Sequence, residues 1–307
     1  MTRIFSYLDE KNQPLVGAEW HGKKYNFTLA WEFYKQIALD NQGPSFQFVQ
    51  MIIEMDLFHA ETFDELFETL KKYRSIDDLA IRKQIRFTVP IERPQKIVCV
   101  GRNFREHAAE LDNPVPEEPI IFSKSPSAMI ATGEMIRIPP DIGRVDFEGE
   151  LAVIIGKKGS NIPTSKAFEY IAGYTILNDI TARDLQKKDK QKGLPWFRAK
   201  SLDTFCPIGP YVLPANAIDN PQNLQITVEV NGDIRQDGNT QDMITPIADL
   251  VEYISRFLTL VEGDIVATGT PAGVGALESG DTIKVDISML GALENSVIAG
   301  PNIQLKT

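Results

Sequence analysis

The chain has few cysteines and no long apolar run. Cys99 and Cys206 are the only two cysteines among 307 residues, which excludes a disulfide framework, and their apolar flanks predict buried free thiols. No apolar stretch approaches the ~20 residues that span a bilayer, and the N-terminus lacks the apolar core of a signal peptide. These absences predict a cytoplasmic protein in a reducing compartment, not a secreted or membrane-spanning one.

Positive charge is also scarce. The 32 Lys and Arg residues and 42 Asp and Glu residues give a net charge of −10. Nucleic acids and anionic membrane surfaces select for excess Lys and Arg, so neither is expected as a partner. An anionic small substrate stays compatible, because a metal or a few bases can reverse the field inside a pocket. The chain length suggests about two domains.

The hydrophobic pattern changes near residue 90. Alternating runs predict a β-meander at residues 3–8, 15–20 and 24–28, and periodic stretches predict helices at residues 29–39, 45–57 and 62–72. Thr62 and Glu65 predict a capping box at the start of the last of these helices. Pro90 and Pro94 indicate a linker. We therefore expect a small α+β domain at residues 1–90 and a second domain at residues 95–307.

Strand patterns outnumber helical ones in the second part. Strands are predicted at residues 97–100, 119–123, 147–155, 174–177, 224–230, 234–236, 264–268 and 282–288, and helices at residues 103–111, 165–171 and 245–258. Asn231 and Gly232 predict a type I′ hairpin turn. Thr245 and Pro246 are expected to cap and open the last helix. This pattern predicts an α+β fold that is mainly β, with a mixed, mostly antiparallel sheet.

Two carboxylates form the first candidate site. Glu148 and Glu150 alternate along the strand predicted at residues 147–155 and therefore point to the same face. Such a pair is repulsive unless a cation or protons lie between the carboxylates, and oxygen ligands suit Mg²⁺ or Mn²⁺. Gly149 between them permits close approach of another backbone. A solvated strand end is the simpler alternative.

A second polar cluster follows the strand predicted at residues 174–177. Asp179 is either a helix N-cap or a third metal ligand. If a helix begins there, Asp179, Arg183 and Gln186 share one face. An ion pair between Asp179 and Arg183 is the simpler interpretation of that spacing. The charged residues 187–192 are expected to form a solvated loop.

Few histidines are available for acid–base chemistry. His107 and Glu110 lie three residues apart on the helix predicted at residues 103–111, so the carboxylate can orient and charge the imidazole. Such a pair can act as a general acid or base, although a surface histidine is the alternative. His21 and His59 have no chemical partner nearby in the sequence.

Two lysines and a glycine-rich loop complete the candidates. Lys124 ends an apolar strand, where a lysine often only extends back to solvent, and Lys200 follows a short aromatic segment. The loop at residues 268–275, which contains Thr270, offers backbone N–H groups to an anion. It has neither the ending of a P-loop nor the following helix of a dinucleotide fingerprint.

Together and in this order, these motifs resemble those of the fumarylacetoacetate hydrolase superfamily. They are residues 101–104 with His107 and Glu110, residues 147–151, residues 178–184, residues 192–195 with Lys200, and residues 268–275. The resemblance extends from about residue 96 onward and is greatest for the branch of acylpyruvate hydrolases and oxaloacetate decarboxylases. It implies a mixed β-sandwich roll that is usually a homodimer. The N-terminal domain is similar to one found in some bacterial members.

The resemblance also implies the roles of the site residues. Mg²⁺ or Mn²⁺ would be held by three carboxylates and chelated by a small 2-oxo acid. The implied ligands are Glu148, Glu150 and Asp179, with Arg183, Gln186 and Lys200 contacting the substrate, Thr270 and its loop holding the 1-carboxylate, Lys124 near the distal end, and His107 and Glu110 on a lid.

Decarboxylation of oxaloacetate to pyruvate and CO₂ is the first functional expectation. The metal would polarise the C2 carbonyl, Lys200 would stabilise the resulting enolate, and His107 would protonate C3. Hydrolysis of an acylpyruvate by water that His107 and Glu110 activate is the alternative, because the same enolate would leave. Isomerisation or hydration of a dienoate is a third.

A binding or regulatory protein on the same scaffold also stays open, because a fold alone does not establish catalysis. In that case the N-terminal domain would brace a dimer, cover the site or bind a protein partner.

Overall fold

The computed structural model describes residues 1–73, 76–110 and 114–304. The strands are β1 (Thr2–Leu8), β2 (Pro14–Trp20), β3 (Lys23–Asn26), β4 (Arg86–Thr88), β5 (Ile97–Gly101), β6 (Ile120–Lys124), β7 (Met129–Ile130), β8 (Met135–Ile138), β9 (Val145–Phe147), β10 (Gly149–Ile155), β11 (Ile171–Asn178), β12 (Thr181–Ala182), β13 (Cys206–Pro214), β14 (Gln225–Val230), β15 (Asp233–Asn239), β16 (Ile265–Ala267), β17 (Gly275–Ala276), β18 (Thr282–Ile287) and β19 (Gly291–Ala299). The α-helices are α1 (Phe27–Ala38), α2 (Val49–Glu54), α3 (Ala60–Tyr73), α4 (Arg105–Glu110), α5 (Arg183–Gln191), α6 (Phe197–Lys200) and α7 (Ile247–Phe257).

Within the described residues the strands form three sheets. The largest follows the order β3-β2-β1-β13-β11-β10-β16-β5-β6, with β4 added to β1 and β7 to β13. The second follows β15-β14-β18-β19-β8, and the third is β12-β9-β17. Most pairs are antiparallel, whereas β13–β7, β16–β5 and β19–β8 are parallel. The predicted α+β fold, mainly β and mixed, is confirmed.

Strand β10 lies in the interior of the largest sheet, between β11 and β16, and is buried on both faces. Leu151 and Val153 belong to the apolar core shared with the second sheet. Ala152 and Ile154, which point the opposite way, belong to the core formed with helices α1 and α3. A strand covered on both faces has a nearly continuous apolar sequence, and this one does. The catalytic candidates therefore project from the end of a rigid, fully enclosed strand.

The N-terminal meander is present as predicted and joins the largest sheet. Strand β1 pairs with β2 along its length and, through Ile4 and Phe5, with Val212 and Tyr211 of β13. The sheet thus continues across the division expected near residue 90, and the two-domain division stays a prediction. No helix in the described part of the chain is long and apolar enough to cross a membrane.

Two helix caps differ from the prediction. Helix α3 begins before Thr62, and its first N–H, from Ala60, donates to Asn216 Oδ1 at 3.0 Å. The first N–H of α7 similarly donates to Gln222 Oε1 at 3.0 Å, and the described contacts give Thr245 no capping bond. The predicted caps are wrong because residues distant in sequence satisfy these N–H groups.

Three further elements differ from expectation. The strand predicted at residues 147–155 is interrupted at Glu148, which separates β9 from β10. Helix α2 is shorter than predicted, since Phe46 packs against Trp31, at 5.0 Å between ring centroids, while the chain before the helix is still extended. The charged segment expected as a loop lies largely in α5, which is anchored where buried Asp189 pairs with Arg198.

Other local predictions are confirmed. Asn231 and Gly232 have φ values of 54° and 86°, as a type I′ turn requires. Cys99 and Cys206 are buried and free. The helix predicted at residues 103–111 appears as α4, and its expected end at residue 111 lies outside the described residues.

Candidate active site

A cavity of about 330 Å³ lies where β5, β10, α4, α5 and α6 meet. Its wall contains most of the residues that the sequence singled out. The described lining residues are Val100, Gly101, Arg102, His107, Phe122, Glu148, Glu150, Arg183, Gln186, Lys187, Lys190, Trp196, Lys200 and Thr270.

Three carboxylates meet beside this cavity because β10 and β11 pair at their ends. Gly149 lies opposite Asn178 in the register, so Glu148, Glu150 and Asp179 all emerge at one edge. The Asp179 N–H donates to the Glu148 carbonyl at 2.8 Å, and the Glu148 N–H donates to Asn178 Oδ1 at 3.0 Å. One oxygen from each carboxylate lies within 4.8 Å of the others, and all three side chains are buried.

Two buried lysines contact these carboxylates. Lys200 Nζ donates to Glu148 Oε2 at 2.7 Å and to Asp179 Oδ2 at 2.6 Å. Lys124 Nζ donates to Asp179 Oδ1 at 2.6 Å and to the Ile180 carbonyl at 3.1 Å. Lys124 therefore does not extend to solvent. It is not among the described lining residues of the cavity, and its expected place near the distal end of the substrate stays a prediction.

The pKa values of Glu148 and Glu150 shift in opposite directions. Burial alone would raise the pKa of Glu148, but Lys200 and Arg183 beside it hold that pKa well below its usual range. Burial raises the pKa of Glu150 well above its usual value, and the charges of Asp179 and Glu148 raise it further. Burial would lower the pKa of Lys200, yet Asp179 and Glu148 keep it above the ordinary lysine value.

The donor set fits a hard divalent cation. Three buried carboxylate oxygens at this spacing are the ligands that Mg²⁺ and Mn²⁺ prefer. Burial, and after it the repulsion from Asp179 and Glu148, disfavours the ionised form of Glu150 and raises its pKa. A cation shared by the three carboxylates would remove that repulsion.

Helix α5 contributes a guanidinium and an amide. Arg183 donates to Asp146 Oδ2 at 2.8 Å, to Glu148 Oε1 at 2.5 Å and to Gln186 Oε1 at 2.8 Å. Asp179 is neither on this helix nor its cap, because the strand pair β12–β9 separates it from α5. The predicted shared helix face and the Asp179–Arg183 ion pair are therefore wrong.

His107 faces the cavity from α4. It is 5% exposed, so the surface-histidine alternative is wrong. Its Nδ1 is buried without a hydrogen-bond partner in the described part of the chain, 3.6 Å from Glu110 Oε2. The Glu110 carboxylate instead accepts the Gly273 N–H at 3.2 Å. Burial lowers the pKa of His107, so the imidazole is neutral at neutral pH.

The glycine-rich loop is tied to the carboxylate strand. The Gly269 N–H donates to Glu150 Oε2 at 2.8 Å, and the Thr270 hydroxyl donates to the Gly149 carbonyl at 2.8 Å. Gln236 completes the link: its Nε2 donates to Thr270 Oγ1 at 2.8 Å and to the carbonyl of residue 271 at 2.7 Å, while its Oε1 accepts the Gly149 N–H at 3.0 Å. Thr270 thus lines the cavity as expected, with its hydroxyl already engaged.

Sequence reasoning missed two of these residues. Asp146 continues the two-residue alternation of Glu148 and Glu150, and extending that alternation by one step would have found it. Gln236 gave no comparable signal, because its partners lie more than 30 residues away.

Much of this chain is similar in sequence and structure to known proteins. Residues 96–298 match the family model described as fumarylacetoacetate (FAA) hydrolase C-terminal. Oxaloacetate tautomerase YisK of Bacillus subtilis is 43% identical over 225 residues, which cover 70% of this chain and 73% of that protein. The structure of a fumarylacetoacetate hydrolase from Exiguobacterium antarcticum superposes with a TM-score of 0.78 at 31% identity, covering 97% of this chain and 100% of that one. A fumarylpyruvate hydrolase of Pseudomonas aeruginosa, solved with Mn²⁺ and pyruvate, has a TM-score of 0.65 at 36% identity, covering 71% of this chain and 94% of that one.

Proposed function

This chain belongs to the fumarylacetoacetate hydrolase family, and we propose that it is an enzyme that interconverts the enol and keto forms of oxaloacetate with a divalent cation. One observation carries the proposal: a buried imidazole, whose Nδ1 has no hydrogen-bond partner among the described residues, faces a cavity in which cationic side chains outnumber carboxylates. Tautomerisation requires a group that takes a proton at one atom and returns it at another.

The charge of the cavity favours an anionic substrate. Of the described lining residues, two are carboxylates, and five carry positive charge: Arg102, Arg183, Lys187, Lys190 and Lys200. This concentration contrasts with the net charge of −10 for the whole chain. The YisK relative is named for oxaloacetate, and the Pseudomonas relative was solved with Mn²⁺ and pyruvate. A small 2-oxo acid fits both the charge and these relatives.

Each protein group has a defined task in this reaction. A cation held by Glu148, Glu150 and Asp179 would supply Lewis acidity at the 2-oxo group. The ammonium of Lys200, beside Glu148 and Asp179, stabilises the negative charge that develops on the adjacent substrate oxygen. Neutral His107 accepts the enol O–H proton and delivers a proton to C3, which gives the keto form.

Decarboxylation, the first expectation from the sequence, becomes the second candidate. It would use the same enolate and Lys200, but it must convert the C4 carboxylate into uncharged CO₂. Cationic groups stabilise the carboxylate more than they stabilise CO₂, so a cation-lined cavity opposes this step. Acylpyruvate hydrolysis is less supported still, because Glu110 binds the Gly273 N–H instead of orienting His107. The homodimer and a partner of the N-terminal region stay predictions.

The test measures two quantities at once, the loss of the enol form and the release of pyruvate. Enol oxaloacetate is mixed with Mn²⁺-loaded protein, and loss of enol absorbance is recorded together with pyruvate release. We expect chelator-sensitive acceleration of enol loss, with pyruvate near its spontaneous rate. Pyruvate formed as fast as the enol disappears would make the protein a decarboxylase. Unaccelerated enol loss would exclude the tautomerase.

Variants then assign the proton transfer and the cation. His107→Gln should lower kcat while Mn²⁺ binding, measured by electron paramagnetic resonance, is unchanged. His59→Gln is the matched control, because His59 is an exposed histidine outside the cavity. Glu148→Ala should abolish turnover and weaken Mn²⁺ binding, with folding checked by circular dichroism. Full activity of either His107→Gln or Glu148→Ala would contradict these assignments.

A further inference from the structure

Arg102 lines the cavity in an unusual backbone conformation. It follows β5 directly and has φ of 57°, a region that residues other than glycine rarely adopt. The next residue holds the turn in place: Asn103 Nδ2 donates to the Thr268 carbonyl at 2.8 Å and to the Thr245 carbonyl at 3.1 Å, and its Oδ1 accepts the Thr245 N–H at 2.8 Å. A strained residue that its surroundings hold this firmly is a mark of functional positioning.

The guanidinium of Arg102 lies over an aromatic ring and has no anionic partner among the described residues. No carboxylate in the described part of the chain pairs with it, whereas Arg183 contacts two carboxylates. Its charged end packs over Trp196, with 5.9 Å from the guanidinium carbon to the ring centroid. Partial burial removes some of the water around the guanidinium and lowers the pKa of Arg102. An anion in the cavity would restore that solvation.

The described part of the chain leaves a second cation of the cavity without an ion pair. Lys187 lies one turn beyond Arg183 on α5 and lines the same cavity. Lys187, like Arg102, has no ion-pair partner within the described residues. The other cations named here are engaged, since Lys200 contacts Glu148 and Asp179. Within the described residues, Arg102 and Lys187 therefore remain available to an anion after Arg183 and Lys200 have formed their ion pairs.

We propose that Arg102, assisted by Lys187, binds the second carboxylate of the substrate and makes the site selective for 2-oxo diacids over 2-oxo monoacids. This inference rests on the proposed function, because it assumes that the 2-oxo acid end lies at Glu148, Glu150 and Asp179. An arginine pairs with a carboxylate through two parallel hydrogen bonds, which a neutral acyl group cannot form. The same pairing keeps C4 ionised and opposes the loss of CO₂.

Binding separates this subsite from the reaction. Mn²⁺-loaded wild type and Arg102→Met are titrated calorimetrically with pyruvate and with 3,3-difluorooxaloacetate, which lacks C3 hydrogens and cannot enolise. The variant should bind the diacid about tenfold more weakly or worse, the loss expected for a hydrogen bond between charged groups. Pyruvate affinity should change by less than about twofold.

Matched variants complete the design. Arg105→Met is the control, since Arg105 is an exposed arginine of the same segment outside the cavity lining. Arg102→Lys should retain part of the diacid affinity and also tests the proposal if Arg102→Met does not fold. Lys187→Met should weaken diacid binding less than Arg102→Met. With enol oxaloacetate, Arg102→Met should raise pyruvate release relative to enol loss.

The outcomes distinguish the subsite from the proposed reaction. Equal losses for pyruvate and the diacid in Arg102→Met, or no loss for either, would overturn the subsite even if the wild type is a tautomerase. Diacid affinity that depends on Arg102, in a protein without tautomerase activity, would support the subsite and refute the reaction.

Discussion

Replacing Gln236 by leucine should destabilise the protein and weaken substrate binding together. Gln236 is fully buried, and its amide joins the Gly149 N–H, the Thr270 hydroxyl and the carbonyl of residue 271. Leucine has a similar volume, so the substitution removes the hydrogen bonds and leaves little empty space. Three buried polar groups would then lack this partner.

The size of the effect follows from those three groups. A buried polar group left unsatisfied costs about 1–3 kcal/mol. We take the lower end for each group, because the loop can shift toward other partners and the Thr270 hydroxyl still donates to the Gly149 carbonyl, and we expect a loss of about 3 kcal/mol in the free energy of unfolding. That is a large part of the roughly 5–15 kcal/mol that stabilises a typical folded domain.

Urea unfolding at equilibrium measures this loss. Gln225→Leu, on the neighbouring strand at an exposed position, is the matched control and should change stability by less than about 0.5 kcal/mol. The KM of Gln236→Leu should rise more than kcat falls, since the Thr270 loop loses its tie to β10. A loss below about 1 kcal/mol in Gln236→Leu would refute the reasoning, because it would mean that the three groups find new partners.

Three other substitutions test separate parts of the structure. Asn216→Ala should lower the free energy of unfolding by about 1 kcal/mol in a thermal melt, because α3 loses its cap; an unchanged melt would deny that cap a role. Glu150→Gln should raise the melting temperature of chelator-treated protein, since burial and neighbouring carboxylates raise the pKa of Glu150. The same substitution should weaken Mn²⁺ binding about tenfold or more. A variant that binds Mn²⁺ as tightly as wild type, or that melts at a lower temperature without metal, would contradict a shared cation site. Glu19→Gln should cost stability at neutral pH. Burial would raise the pKa of Glu19, but hydrogen bonds from Arg3 and Tyr211 hold it below its usual value. A carboxyl with a lowered folded-state pKa stabilises above its unfolded pKa, so the difference from wild type should disappear as the pH falls below about 4; a difference that persists in acid would point to lost packing.

The three carboxylates of the site could be predicted from short stretches of sequence. Glu148 and Glu150 lie at the end of an apolar run, and Asp179 directly follows another, so two adjacent buried strands suffice to bring their carboxylates together. Alternation along a strand and the ends of apolar runs are properties of neighbouring residues. The same holds for the hairpin turn at Asn231 and Gly232, whose conformation depends on those two residues alone.

The remaining features depend on residues far apart in the chain. The position of Lys124 at the end of a strand does not determine whether its ammonium group contacts solvent or Asp179, which lies 55 residues away in the sequence. Helix α5 begins only at Arg183, because the preceding residues pair with β9 instead of continuing the helix. Asn216, which caps α3, lies 156 residues from the N–H that it satisfies. No local pattern records such partners.

The pairing of β1 with β13 places constraints on how the chain is made. Ile4 leaves the ribosome about 200 residues before its sheet neighbour Val212. During that interval this part of β1 presents open backbone groups, which other chains can pair with. A stalled or truncated nascent chain that ends before β13 would keep this edge exposed. Prompt synthesis of β13 therefore limits aggregation between nascent chains on the same messenger RNA.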